Sequence, residues 1–180
     1  MKHVNYFGVE LLFLCALIAI GHPFAFAGPP AKVMVLDFQL NDLTDLPNAP
    51  QELARIEYLS ASFQQGLRDK GVELVAVTEQ IKAEITANHA TYLFDRPEHA
   101  AKLAQGSGAD YLVIAVALKP TYLFVYPRIL LVEVKSGKVM LPSYAQLESS
   151  WSDQNTTART ADFLAKQVSV KLRELATQAN

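Results

Sequence analysis

Two stretches of this chain are too continuously apolar to line a half-exposed sheet. They are Lys32-Val33-Met34-Val35-Leu36-Asp37-Phe38 and Asp110-Tyr111-Leu112-Val113-Ile114-Ala115-Val116-Ala117-Leu118. A strand with one solvated face alternates polar and apolar residues. A run that does not alternate suits a central strand buried on both faces. The second run is the most apolar strand of the chain and is expected at the centre of the sheet.

The segments around these runs carry clear local signals. Asn48 can cap a first helix, with Pro50 in its first turn. Leu53, Ile56, Ser60, Phe63 and Leu67 then fall on one face, and Glu52, Arg55, Gln65 and Arg68 fall away from it. Gly71 ends the helix. Val72 to Val77 reads as a strand, and Thr78 opens a short helix to about Ile85. A loop over 87–96 holds Asn88, His89, Tyr92 and Phe94. Asp95-Arg96-Pro97-Glu98 reads as a capping box. It starts a helix with Ala100, Leu103 and Ala104 inward, stopped by Gly106-Ser107-Gly108.

After the central run, Lys119-Pro120-Thr121 turns the chain. Tyr122 to Val134 reads as a long strand, in which Pro127 marks a bulge or an edge. Ser136-Gly137 is a hairpin turn, and Lys138 to Leu147 pairs back. The only tryptophan, Trp151, lies in the loop from Glu148 to Asn155. A last helix runs from about Thr156 to Gln178, with Ala161, Leu164, Val168, Leu172 and Leu175 on one face. The order is β-α-β-α-α-β-β-β-α. Residues 28–180 are therefore expected to form a single α/β domain. Its mixed sheet has about five strands, parallel in the first half and antiparallel in the second, with helices packed on it.

Residues 1–27 read as a cleavable signal peptide. Met1-Lys2-His3 is weakly positive, Leu11 to Ile20 is apolar, Gly21-His22-Pro23 breaks the helix and Ala25-Phe26-Ala27 offers a cleavage site. The apolar run is about ten residues, roughly half of what a membrane-spanning helix needs. The alternative is an uncleaved inner-membrane anchor. Cleavage after Ala27 would remove Cys15, the only cysteine, and with it any disulfide, thiolate nucleophile or Cys metal ligand. The net charge of −2 argues for neither nucleic acid nor an anionic membrane as partner. A periplasmic location is expected, with no membrane span after cleavage.

The residues also carry a resemblance. A strand ending Val35-Leu36-Asp37-Phe38 precedes an amphipathic helix and a short strand. A later helix runs into Gly106-x-Gly108-Ala109-Asp110-Tyr111-Leu112-Val113. A strand pair through Val132-Glu133-Val134-Lys135-Ser136-Gly137-Lys138-Val139 and a terminal helix follow. Over most of residues 32–176 this resembles the bacterial envelope proteins that share the fold of the TolB N-terminal domain and CsgG. It is closer still to predicted secreted proteins of that fold with a Ser-Trp pair, here Ser150-Trp151, before the last helix. The resemblance implies envelope assembly or protein binding rather than a reaction. It also implies a cysteine pair before the third helix. Phe94-Asp95-Arg96-Pro97 stands there instead, so no redox or metal role carries over. The lipobox of the CsgG branch is absent as well.

Two groups of residues are candidates for function. Asp37 sits at the carboxyl end of the first strand, where ligands bind in open α/β sheets. With Asp42 and Asp45 it could hold a cation or polar ligand; otherwise these carboxylates cap backbone or face water. Tyr122, Phe124 and Tyr126 alternate and so share one strand face. With Tyr144 and Trp151 they would form an aromatic docking patch, open to strand addition if Pro127 marks an edge; otherwise that face packs under a helix. His89 and His99 lack metal-ligand spacing, and no metal site is expected. Gly106-Ser107-Gly108 leaves a helix and enters a strand, the reverse of a phosphate loop. No nucleophile elbow, triad or cofactor motif is present. The expectation is a non-catalytic exported envelope protein that binds another envelope protein or forms a homo-oligomer. The alternative is a small-ligand, cation-binding or enzymatic domain using the loop Asp37–Asp45.

Overall fold

The computed structural model describes residues 30–45, 49–147 and 153–178. In chain order the elements are β1 (Lys32–Val35), β2 (Gln39–Asp42), α1 (Pro50–Asp69), β3 (Glu73–Val75), α2 (Glu79–Ala87), α3 (Pro97–Ala104), β4 (Tyr111–Lys119), β5 (Tyr126–Glu133), β6 (Val139–Tyr144) and α4 (Gln154–Gln178). The six strands form one mixed sheet in the order β3-β1-β4-β5-β6, with β2 also paired to β4. β1 and β2 run parallel to β4, β3 runs parallel to β1, and the β4-β5-β6 meander is antiparallel. The mixed α/β arrangement is the one its sequence predicts.

The lack of polar alternation in β4 has a direct cause. Val113, Ala115 and Ala117 point into a core closed by Phe63 of α1 and Leu164 of α4. Leu112 and Ile114 point the other way, onto Ile81 of α2 and Ala100 and Ala104 of α3. Both faces of the strand are dry, so neither tolerates polar side chains. Among the described residues, no helix is long and apolar enough to cross a membrane.

The first strand departs from expectation. Lys32–Phe38 was expected as one strand, followed by a polar loop. The chain instead breaks after Val35 and rejoins β4 as β2. Val35 stands opposite Val113 and Gln39 opposite Val116. Four steps on one strand therefore match three on the other, which is a bulge of one residue. The Leu36 N–H still donates to the Val113 carbonyl (2.9 Å), whereas the Phe38 N–H turns away to Ser60 Oγ (2.9 Å). Gln39-Leu40-Asn41-Asp42 has little apolar content, so only its pairing reveals it as a strand.

Other local expectations were also redirected. Asp95 does not close a capping box: Arg96 occupies the N-cap of α3, and the Asp95 carboxylate accepts a hydrogen bond from Thr91 Oγ1 (2.6 Å). Thr78 caps α2 as expected, accepting from the Ile81 N–H (3.3 Å). Asn48 lies outside the described residues, and Pro50 opens α1 directly after Ala49. Tyr122 to Phe124 form a loop rather than strand. Pro127 marks neither an edge strand nor a bulge, because β5 is paired on both sides and its irregularity falls at Leu131/Val132. The Pro127 carbonyl accepts from Ala145 N–H (2.9 Å), one residue past the end of β6. Its nitrogen faces Ala145 as well, between that bond and the Val125–Leu147 bridge, so the ladder forgoes one donor near the start of β5, where proline is tolerated.

α1 and α4 pack so closely that a Cβ on Gly66 would lie 3.1 Å from the Ala165 Cβ. An ion pair between Lys70 and Asp162 ties the same two helices together. Gly66→Leu is expected to destabilise the domain by about 1–3 kcal/mol, since a side chain there must push two helices apart. Urea unfolding of the variant against wild type checks this; an unchanged midpoint would show that the helices yield freely.

Candidate functional site

The carboxyl ends of β2 and β4 meet the N-terminal turns of α1 and α4 over a buried ionic network. Lys119 ends β4 and is only 1% exposed. Its Nζ lies 3.0 Å from Asp42 Oδ2 and 3.5 Å from Glu52 Oε2. Glu52 Oε1 lies 3.9 Å from Arg55, one turn along α1. The Arg55 Nε–H donates to Thr157 Oγ1 (3.4 Å), and Arg55 also feels the charge of Asp153. Asp153 itself caps α4, accepting from Thr156 N–H (2.9 Å) and Thr156 Oγ1 (2.6 Å). Charges thus alternate from β2 through β4 and α1 to α4, which suits ions removed from water. Burial acts to raise the Asp42 carboxyl, but hydrogen bonds from Thr44 and the Lys119 ammonium outweigh it and hold Asp42 below its ordinary value. The Lys119 ammonium is committed to two carboxylates and sealed from solvent. That geometry orients elements; it does not present an amine to a substrate.

The inward face expected for α1 holds at Ile56, Ser60, Phe63 and Leu67, and the network was missed because the first turn departs from it. Leu53, expected inward, is 45% exposed, while Glu52 and Arg55 are buried. The stripe Glu52-Ile56-Leu59-Phe63 has helical spacing and was the legible signal, as was a lysine ending an otherwise apolar strand.

A family model described as "Protein of unknown function (DUF2380)" matches residues 31–168, from just before β1 into α4. The chain belongs to this family, DUF3280. No curated protein matches the sequence. Among solved structures, this DUF3280 chain is similar to a PelC dodecamer from Paraburkholderia phytofirmans, with 14% identity and a TM-score of 0.49 over 79% of this chain and 87% of that one. It is similar to lipoprotein GNA1162 from Neisseria meningitidis, with 19% identity and a TM-score of 0.45 over 82% and 97%. It is also similar to the LpoB C-terminal domain from Salmonella enterica, with 16% identity and a TM-score of 0.43 over 68% and 87%.

In this DUF3280 chain the three candidate aspartates have separate surroundings. Asp37 is exposed at the bulge, where its Oδ1 accepts from Gln64 Nε2 (2.7 Å). Asp42 is buried against Lys119 and Thr44. Asp45 is exposed beyond the end of β2. Among the described residues, no group of three or more His, Cys, Asp or Glu is arranged to hold a metal ion. His89 and His99 each set a ring edge-to-face with Tyr92, and His99 Nε2 lies 3.8 Å from Glu84 Oε1.

The aromatic candidates divide. Tyr122 is 56% exposed in the β4–β5 loop, its ring centroid 6.0 Å from Lys119 Nζ. Phe124 and Tyr126 pack on each other, centroids 6.4 Å apart, with Tyr126 opposite Leu118 at the start of β5. Tyr144 is exposed on β6, opposite Arg128. Trp151 lies outside the described residues. Leu43, Leu53 and Leu123 join Tyr122 as exposed large apolar side chains near Lys119. The Leu43 N–H donates to the Lys119 carbonyl (2.9 Å), Leu53 adjoins Glu52, and Leu123 adjoins Tyr122. Beside them an open groove of about 500 Å³ runs between β2 and α1.

Proposed function

We propose that this chain is an exported, non-catalytic accessory protein of the cell envelope that works by binding another protein or a second copy of itself. The observation that carries this is the exposure of Leu43, Tyr122 and Leu123, which follow the ends of β2 and β4, together with that of Leu53 beside Glu52. Large apolar side chains scattered singly mean little, but several at one end of a domain mark a contact surface. The buried network beneath them holds four elements in fixed relation, so the surface is rigid before it binds. The leader-like residues 1–27 support export into the periplasm. The resemblance to the TolB N-terminal domain and CsgG in Val35-Leu36-Asp37-Phe38 and Gly108-Ala109-Asp110-Tyr111 supports the envelope assignment. The rival reading, a ligand or cation site on the loop Asp37–Asp45, has less support because Asp42 is already engaged by Lys119 and Thr44.

Capture from envelope extracts and sedimentation of the purified domain test this together. Tyr122→Ala combined with Leu123→Ala is expected to weaken the partner complex or the self-association about tenfold or more, the scale of a lost aromatic anchor. Equal capture and equal sedimentation by variant and wild type would remove the case for this surface.

A further inference from the structure

We propose that the outward edge of β2 and the groove beside it take up an extended, cationic peptide segment of another protein as an added strand, a ligand class that rests on the protein-binding role proposed above. The backbone sets the site. The Leu43 N–H donates to the Lys119 carbonyl, and backbone groups alternate sides along a strand. The N–H and C=O of Gln39 and Asn41 therefore face β4, and those of Leu40 and Asp42 face away. Phe38 has the outward parity, and its N–H does point away from β4, to Ser60 Oγ. β3 covers only β1, its register ending at Met34 opposite Val75. Among the described residues, no strand pairs the outer side of β2. An open donor and acceptor row of this kind is a template for another chain.

The groove supplies side-chain selectivity. Leu40, Leu53, Ile56 and Ala61 line it, and Asp37 and Glu57 stand on its rim. Among the described residues no lysine or arginine lines it; Arg68 reaches it through the Gln64 amide (3.4 Å). An extended segment alternating apolar residues with Lys or Arg fits both the apolar lining and the two rim carboxylates. A second copy fits worse, because pairing β2 with β2 brings two identical acidic rims together. Leu53 belongs both to this groove and to the exposed apolar surface, so the two are continuous.

The probe is a fluorescein-labelled heptapeptide alternating Lys and Val, with blocked termini, measured by polarisation and by amide exchange of the 180-residue chain or its mature form. It is expected to bind wild type and to slow exchange of the Leu40 amide, whereas a Glu–Val heptapeptide is expected not to bind. Leu40→Pro removes the outward N–H without touching the β4 ladder and is expected to abolish binding, with Leu40→Val binding as wild type. Asp37→Lys with Glu57→Lys, both at exposed positions, is expected to weaken binding at least tenfold and serves if Leu40→Pro does not fold. Failure of the Lys–Val probe to bind wild type, or equal binding to Leu40→Pro or to the double Lys variant, overturns the β2 site. Envelope capture lost in the Tyr122/Leu123 variant but kept in Leu40→Pro also overturns it, while leaving the protein-binding role intact.

Discussion

Lys119→Ala is expected to destabilise the domain by about 3–5 kcal/mol, the cost of deleting one partner from a buried ion network. The Lys119 ammonium lies between Asp42 and Glu52, whose side chains are each 1% exposed. Without it, two buried carboxylates face one cavity, with Arg55, 3.9 Å from Glu52, as the remaining cation of the network. At roughly 2–4 °C per kcal/mol for a domain of this size, thermal unfolding should shift by on the order of 10 °C. Replacing Lys119, Asp42 and Glu52 together by apolar residues of similar volume should recover most of the loss, because the charges are then removed as a set. A small effect of Lys119→Ala alone would mean that water enters the network freely. The acid limb gives a second reading. Asp42 is held below its ordinary value of 3.8. A carboxyl depressed on folding adds stability that is present above the unfolded pKa and is lost as pH falls through the folded one. The stability gap between wild type and Asp42→Asn should therefore be constant near neutrality and close as pH falls below 3.8.

Most of the fold was legible because periodicity and burial agreed. β4 is apolar at every position from Tyr111 to Leu118, and the structure buries both of its faces. α4 was readable from Ala161, Leu164, Val168 and Leu172, all of which are buried. The candidate site was much less legible. Leu53 and Glu52 are adjacent, and hydrophobicity alone turns the leucine inward. Ile56, Ser60, Phe63 and Leu67 do face inward as expected, but in the first turn Glu52 is buried instead of Leu53, where its carboxylate meets the buried Lys119 ammonium. β2 escaped notice because a strand with one free edge and few apolar residues looks like loop, and its parallel partner lies far along the sequence. Pro127 was misread as an edge marker because a proline is also tolerated near the start of an internal strand, and the sequence does not show where β5 begins.

Phe63→Ala is expected to cost about 3–5 kcal/mol, and its effect should reach the groove as well as the core. Phe63 is fully buried and meets Phe38 edge-to-face, with centroids 5.7 Å apart and planes at 76°. Phe38 is the last residue of the bulge, and its N–H is held by Ser60, on the same face of α1 and one turn before Phe63. The ring pair and this hydrogen bond together turn β2 out of line with β1. A double-mutant cycle of Phe63→Ala with Phe38→Leu should give a coupling of about 0.5–1.5 kcal/mol beyond the lost area. Ser60→Ala should cost a further 1–3 kcal/mol, at about the level of one buried N–H left without an acceptor. If the aromatic coupling is near zero, the bulge is held by the β2–β4 ladder alone. If it is present, the core residue Phe63 sets the position of the Leu40 edge. Amide exchange at Asn41, whose N–H faces β4, should then speed up in Phe63→Ala more than exchange at Val113 does, because β4 keeps partners on both sides and β2 keeps only one.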